Sequence, residues 1–190
     1  MPDPIKMLRE DHQKVQELFR RFEQSEDEQT KNEIARTAIQ ELTVHATLEE
    51  EIFYPAAQEV VEEEDLIDEA HEEHHVAKLL MNELKKMKAA DQRFDAKFKV
   101  MAESVKHHIE EEESELFPML QGKLDSEALG QQMESRKQKL QQGGVRSPAR
   151  SSGQRRSGAG GRSKSRSGKA VKARQAATKK KKRKASGGRR

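Results

Sequence analysis

Between Ile5 and Phe22 a seam of apolar side chains runs through Ile5, Leu8, Val15, Phe19 and Phe22, a register of three and four that defines one buried helix face. The series has a single gap, at position 12, and His12 fills it. Asp3 predicts the cap of this helix, with Pro4 at its first position, where a missing N–H costs nothing. A second helix is expected from about Thr30 to Pro55 or a little beyond, with Ala38, Leu42 and Ile52 on a seam that also contains His45 and Glu49. A third starts near Asp65 and carries Ile67, Ala70, Ala77, Met81 and Leu84, with His74 in the gap. A fourth, capped near Asp91, carries Phe94, Phe98, Met101 and Val105, then His108, Glu112 and Met119. Each predicted helix thus places one histidine where a core residue belongs.

One histidine on an apolar stripe is ordinarily a hydrogen-bonded core residue. Four of them in four helices, with two carboxylates and no Lys or Arg on the same seams, are a different matter. Burying those groups together costs roughly several kcal/mol unless something cationic pairs with them. A bound metal ion supplies that pairing. His45 with Glu49, and His108 with Glu112, are i, i+4 pairs, so each imidazole and its carboxylate share a helix face one turn apart. Both are followed by an aromatic residue and a proline, in HATLEEEIFYP at 45–55 and HIEEEESELFP at 108–118. The chain therefore reads as two related helix pairs, and in an antiparallel up-down four-helix bundle the six side chains converge on one inner layer. Four imidazoles and two carboxylates able to bridge suit two ions better than one.

Composition narrows the chemistry. The chain has no cysteine, which rules out thiolate sites, disulfides and cysteine nucleophiles and leaves nitrogen and oxygen ligands. No Walker, Rossmann or GxSxG pattern occurs. The N-terminus is charged where a secretory signal is apolar, and no apolar run approaches the roughly 18 residues of a membrane span. The expectation is a soluble, cytoplasmic protein.

Charge divides the chain. From Gly143 onward there are 18 Lys and Arg and no Asp or Glu, a segment charge of +18; the remaining 19 basic residues stand against all 34 acidic ones, giving −15 before it. The segment 143–190 is built of Ser, Gly, Ala, Arg and Lys, too poor in apolar residues to offset the entropy of ordering, and is expected to be a disordered basic tail. RSKSRSGKAVKAR and KKKKRK resemble histone-like tails, and the lack of any aromatic residue after Phe117 points to electrostatic, sequence-independent association with nucleic acid. In a bacterium this implies a nucleoid association, and in a eukaryote KKKKRK reads as a nuclear import signal. Residues 123–142, with Leu129, Met133 and Leu140, form a linker or a short amphipathic helix that docks on the bundle or pairs with another subunit.

The motifs EDH at 10–12, VHATLEEEIFYP at 44–55, EEHH at 72–75 and KHHIEEEESELFP at 106–118 together resemble the hemerythrin-like, or HHE cation-binding, domain over roughly residues 1–122. The resemblance implies an all-α four-helix bundle with a non-haem di-iron centre that binds or reacts with dioxygen. It makes His12, His45, His74 and His108 terminal ligands and Glu49 and Glu112 bridging carboxylates of two iron ions, although the same donors also accept manganese or zinc. In the third helix HEEHH leaves alternatives: the seam selects His74, His71 with His75 form an i, i+4 pair, and His71 is the first candidate for an extra ligand. His75, His107, Glu110 and Glu111 fall off the seams and are expected at the surface; Glu50 is expected on the acidic surface, with reach to the site as the alternative, and Tyr54 in packing, with shielding of the site or a donated hydrogen bond as the alternative.

Three functions are compatible with these residues. The first is a di-iron protein that binds or senses dioxygen or a related small oxidant, its tail on nucleic acid. The second is a nucleic-acid-binding architectural or protective protein whose bundle is mainly structural. The third is a di-iron enzyme removing peroxide or nitric oxide.

Overall fold

The computed structural model describes residues 2–61 and 64–143, so the basic-tail expectation falls almost entirely outside the described residues. The described chain is helical throughout: α1 (Pro4–Gln24), α2 (Glu28–Leu48), α3 (Tyr54–Gln58), α4 (Glu64–Leu84), α5 (Phe94–Glu111), α6 (Phe117–Leu120) and α7 (Ser126–Gly143). Two π-helical turns, Glu49–Phe53 and Glu112–Leu116, join α2 to α3 and α5 to α6. The four long rods pack as α1 along α2 and α4 along α5, and the short turns between the members of each pair force them antiparallel. No helix among the described residues is long and apolar enough to cross a membrane.

Capping chemistry sets the helix starts. Asp3 accepts the Lys6 N–H at 2.8 Å, as its position before Pro4 predicts. Asp27 takes the same role for α2, accepting from the Thr30 N–H at 2.7 Å, so that helix begins two residues earlier than the sequence suggested. Asp91 does not cap α5. Its carboxylate accepts the Lys88 N–H inside the preceding turn, and α5 opens at Phe94 after Arg93.

The prolines do not end the helices. Pro55 and Pro118 lie just inside α3 and α6, and each lacks the N–H that an α-helix would donate four residues back while its ring crowds that carbonyl. The backbone answers by widening one turn. The Tyr54 N–H donates to the Glu49 carbonyl and the Phe117 N–H to that of Glu112, five residues back. Such a turn holds one more residue, so the buried face moves from Glu49 to Phe53, Tyr54 and Ala57.

Two apolar clusters result, one on each side of a polar layer. Val15, Phe19, Phe22, Leu42, Met81, Phe98, Met101 and Val105 pack in the first; Leu8, Leu48, Phe53, Ile67, Leu116 and Phe117 pack in the second. His12 lies between Leu8 and Val15 along α1, and each other seam histidine has the same kind of position in its helix.

The segment after the bundle forms α7, which lies against it. Met133 of α7 is fully buried in the second cluster, Arg136 binds Glu51 through two hydrogen bonds, and Lys137 holds Asp11 at 2.5 and 2.7 Å. Gly130 lets the helix lie against the N-terminus, since a Cβ there would stand 1.9 Å from the Pro2 carbonyl oxygen. Truncating the anchor should release α7. Met133→Ala is expected to cost about 2–5 kcal/mol of unfolding free energy and to expose α7 to protease, read by thermal unfolding and limited proteolysis.

Candidate metal centre

The six seam residues meet in the layer between the two apolar clusters. His12, His45, Glu49, His74, His108 and Glu112 are between 0 and 6 % exposed. Their donor atoms form two groups that share Glu49: His12, His45, Glu49 and Glu112, and Glu49, His74 and His108, with all atoms of a group within 4.8 Å of one another. The imidazoles point their Nε2 atoms inward. His12 Nε2 faces His45 Nε2 at 3.1 Å, and His74 Nε2 faces His108 Nε2 at 3.1 Å. Glu49 Oε2 lies 3.1 Å from His45 Nε2 and 3.3 Å from His74 Nε2, while Glu112 Oε2 lies 3.2 Å from His12 Nε2 and 3.6 Å from His108 Nε2.

The outward-facing Nδ1 atoms decide the tautomers. His12 Nδ1 donates to Glu113 at 2.8 Å, His74 Nδ1 to Glu50 at 2.9 Å, and His108 Nδ1 to Glu73 at 2.8 Å. Asp11 stands 3.9 Å from His45 Nδ1, the loosest of the four. A carboxylate only accepts, so in the three rings hydrogen-bonded this way Nδ1 carries a proton, and the neutral form of such a ring aims its Nε2 lone pair into the layer. Three of the four carboxylates are in turn held by cations: Asp11 by Lys137, Glu50 by Lys78 at 2.5 Å, and Glu113 by Arg9 at 3.2 Å.

With both rings of a facing pair neutral, two lone pairs 3.1 Å apart repel, and the carboxylates beside them are underserved. Both oxygens of Glu49, Oε2 of Glu112 and Nδ1 of His45 are buried without a hydrogen-bond partner. A cation at each group would satisfy all of the inward atoms at once, which is the fit expected of nitrogen and oxygen ligands for a metal pair. Without one, protons must substitute. Burial pushes the His45 imidazole down, but Glu49 and Asp11 overcome this and hold it up at about 10. Burial likewise opposes charge on His108, and Glu73 with Glu112 outweighs it, so that ring is also raised. Burial would raise the Glu49 carboxyl, yet His45 and His74 hold it well below the usual carboxylate range.

His71 is not brought into the layer. It is exposed on α4 and sets its ring edge against Tyr54, with centroids 5.2 Å apart. His75 is exposed as well, and His107 pairs with Glu111 at the surface. The seam reading missed the supporting residues Asp11, Glu73 and Glu113; for Tyr54 the alternative to packing holds, since its hydroxyl donates to Glu112 Oε1 at 2.9 Å. A signal was present: Asp11 and Glu73 each precede a seam histidine, and Glu50 and Glu113 each follow a seam glutamate. A flanking residue of one helix reaches the histidine of a neighbouring helix, which periodicity along a single helix does not express.

The centre has relatives. A family model described as the hemerythrin HHE cation-binding domain matches residues 3–120. A DNA nickase of Nostoc sp. is 32% identical over 139 residues, covering 72% of this chain and 39% of that protein. An uncharacterized hemerythrin-like protein of Schizosaccharomyces pombe is 28% identical over 119 residues, covering 62% of this chain and 59% of that one. The chain therefore spans less than two thirds of the length of either relative. The crystal structure of a hemerythrin HHE cation-binding domain-containing protein from Mycobacterium kansasii shares the fold, with a TM-score of 0.64 at 21% identity over 75% of this chain and 90% of that one. A bundle whose four inward histidines and two shared carboxylates fall within the matched span accords with that match, and the chain belongs to the hemerythrin HHE cation-binding domain family.

Proposed function

We propose that this protein holds two non-haem iron ions on His12, His45, Glu49, His74, His108 and Glu112 and uses them to bind or sense dioxygen or a related small oxidant, with the basic tail placing it on nucleic acid. The observation that carries this reading is the buried layer of inward Nε2 atoms and unpartnered carboxylate oxygens between two apolar clusters. Bound iron would supply reversible binding and reduction chemistry for a small oxidant. The chain's own residues hold the layer, limit access and keep it dry. A cavity of about 20 Å³ borders the histidines, walled by Val15, Leu42, Ala77, Met81 and Val105, on the scale of a guest little larger than one water. Burial and the charges of Glu49 and Glu112 raise the Tyr54 phenol well above its ordinary value, so it stays a donor toward Glu112.

A second reading takes its support from the Nostoc relative, named a DNA nickase, together with the +18 tail. In it the chain acts on nucleic acid, and metal ions held by the same six residues would supply the Lewis-acid chemistry for backbone cleavage. The burial of all six ligands argues against a phosphodiester reaching them. Nicking of supercoiled plasmid that disappears in His108→Ala, with the fold intact, would favour this reading over the first.

Protein purified from iron-replete cells should contain about two irons per chain and show near-ultraviolet absorption that changes with oxygen. Metal-free protein from such cells would sink the di-iron proposal. His108→Ala with Glu112→Ala should empty the site and leave the helical content in place, checked by metal analysis beside circular dichroism.

Proton linkage gives a pH signature. A protonated imidazole has no lone pair to give, so with His45 held at about 10 cation uptake at pH 7 should release about one proton or more per chain, and affinity should rise with pH. Calorimetry in buffers of different ionisation enthalpy reads the released protons. The metal-free fold behaves in the opposite sense. The stability drawn from a raised His45 is complete below the ordinary histidine value of 6.5 and is lost as pH climbs through about 10. Its melting temperature should fall over that window, and the metal-loaded protein should not follow it.

For the tail, removal of residues 143–190 should abolish DNA association without changing iron content. Binding by the full chain should weaken steeply with salt, as expected when many phosphates are neutralised. Unchanged DNA affinity in the truncated protein would place the nucleic-acid contact, if any, on the bundle.

A further inference from the structure

The centre is built from two nearly equivalent halves. His45, Glu49, Tyr54 and Pro55 correspond in spacing to His108, Glu112, Phe117 and Pro118, and each set carries its π turn at the same place. The correspondence extends to packing across the bundle. Tyr54 lies against His74, ring centroids 5.7 Å apart, and Phe117 stacks on His12 at 5.8 Å. Outside the ring, Glu50 supports His74 as Glu113 supports His12.

Asp11 stands 3.9 Å from His45 Nδ1 where Glu73 accepts from His108 Nδ1 at 2.8 Å, and the halves differ again at the carboxylates themselves. Tyr54 is the single tyrosine of the chain, and its hydroxyl donates to Glu112 Oε1; Phe117, its counterpart, has no such group to offer Glu49. As a result both oxygens of Glu49 lack a hydrogen-bond partner, whereas Glu112 has only Oε2 free. That oxygen lies nearer His12 Nε2, at 3.2 Å, than His108 Nε2, at 3.6 Å. The donor groups divide accordingly, four atoms with His12 and His45 and three with His74 and His108.

Resting on the reading that these six residues hold two metal ions, we propose that the Tyr54 hydroxyl makes the two metal positions unequal. By holding one oxygen of Glu112 it commits that carboxylate to the His12 and His45 position, which offers four protein donors and fills first. The His74 and His108 position keeps three, binds its ion more weakly and leaves more of that ion's coordination open to a small guest. Tyr54 is thus a positioning residue. It acts through Glu112 and sets which of the two ions is the accessible one.

The test uses the full chain stripped of metal and titrated with cobalt(II) in the absence of oxygen, followed by calorimetry and by the visible bands that report coordination number. Wild type should take up cobalt in two distinct steps. Tyr54→Phe preserves the ring and its packing but frees Glu112 Oε1, so the second step should tighten by roughly tenfold, the scale on which ligand support alters metal affinity, and the two steps should converge. Adding Phe117→Tyr to that variant should separate them again, because the phenol then reaches for Glu49. Two equal steps in wild type would overturn the inference and leave the dinuclear site standing. Equal loosening of both steps in Tyr54→Phe, or no change in either, would also overturn it, since a simple orienting partner predicts the former and simple packing the latter. A wild-type chain that takes up no cobalt defeats the metal reading itself. Melting curves of the metal-free variants establish that each is folded, and Phe117→Tyr alone, with both carboxylates then engaged, should weaken cobalt uptake if the rule holds.

Discussion

The structure depends on the pairing of one buried polar layer. Four imidazoles and two carboxylates lie across the middle of a small helical bundle, with apolar clusters on either side that could not by themselves compensate their loss of water. The helix seams tolerate the interruption because each rod contributes to it at the same level. Seen this way the layer is a cost that the fold carries for a cation, and in the absence of one His45 retains a proton that a solvated histidine would have shed.

Around that layer the charges are graded outward. Inward Nε2 atoms are fixed by Nδ1 hydrogen bonds to Glu50, Glu73 and Glu113; Lys78 balances Glu50, Arg9 balances Glu113, and Lys137 balances Asp11 beside His45. Each support crosses from one helix to another, so the ligand geometry and the packing of the rods are one constraint. Lys137 extends it to α7, which is thereby tied to Asp11 at the margin of the centre.

The π turns give the bundle its second function of geometry. A regular helix would carry Tyr54 away from the face of Glu49, because residues five apart do not overlie one another. Widening one turn after each buried glutamate, Glu49 and Glu112, brings the aromatic residue back over the layer, and the proline that follows makes the wider turn the less crowded choice. For this reason a reading based on steps of three and four locates Glu49 and Glu112 but ranks packing above a hydrogen bond for Tyr54.

By itself the sequence determined the local and periodic properties of the protein: four amphipathic rods, the caps at Asp3 and Pro4, and the six gap-filling polar residues whose convergence follows once the rods are packed face to face. Those properties repeat along one helix, and a helix period is legible in one dimension. The tertiary structure decided what depends on two helices at once. It brought Asp11, Glu73 and Glu113 to histidines on other rods, left His71 outside, seated α7 through Met133, and put one phenol on Glu112 with no counterpart on Glu49. Contacts between side chains distant in sequence leave no period in it, so only the packed bundle reveals them.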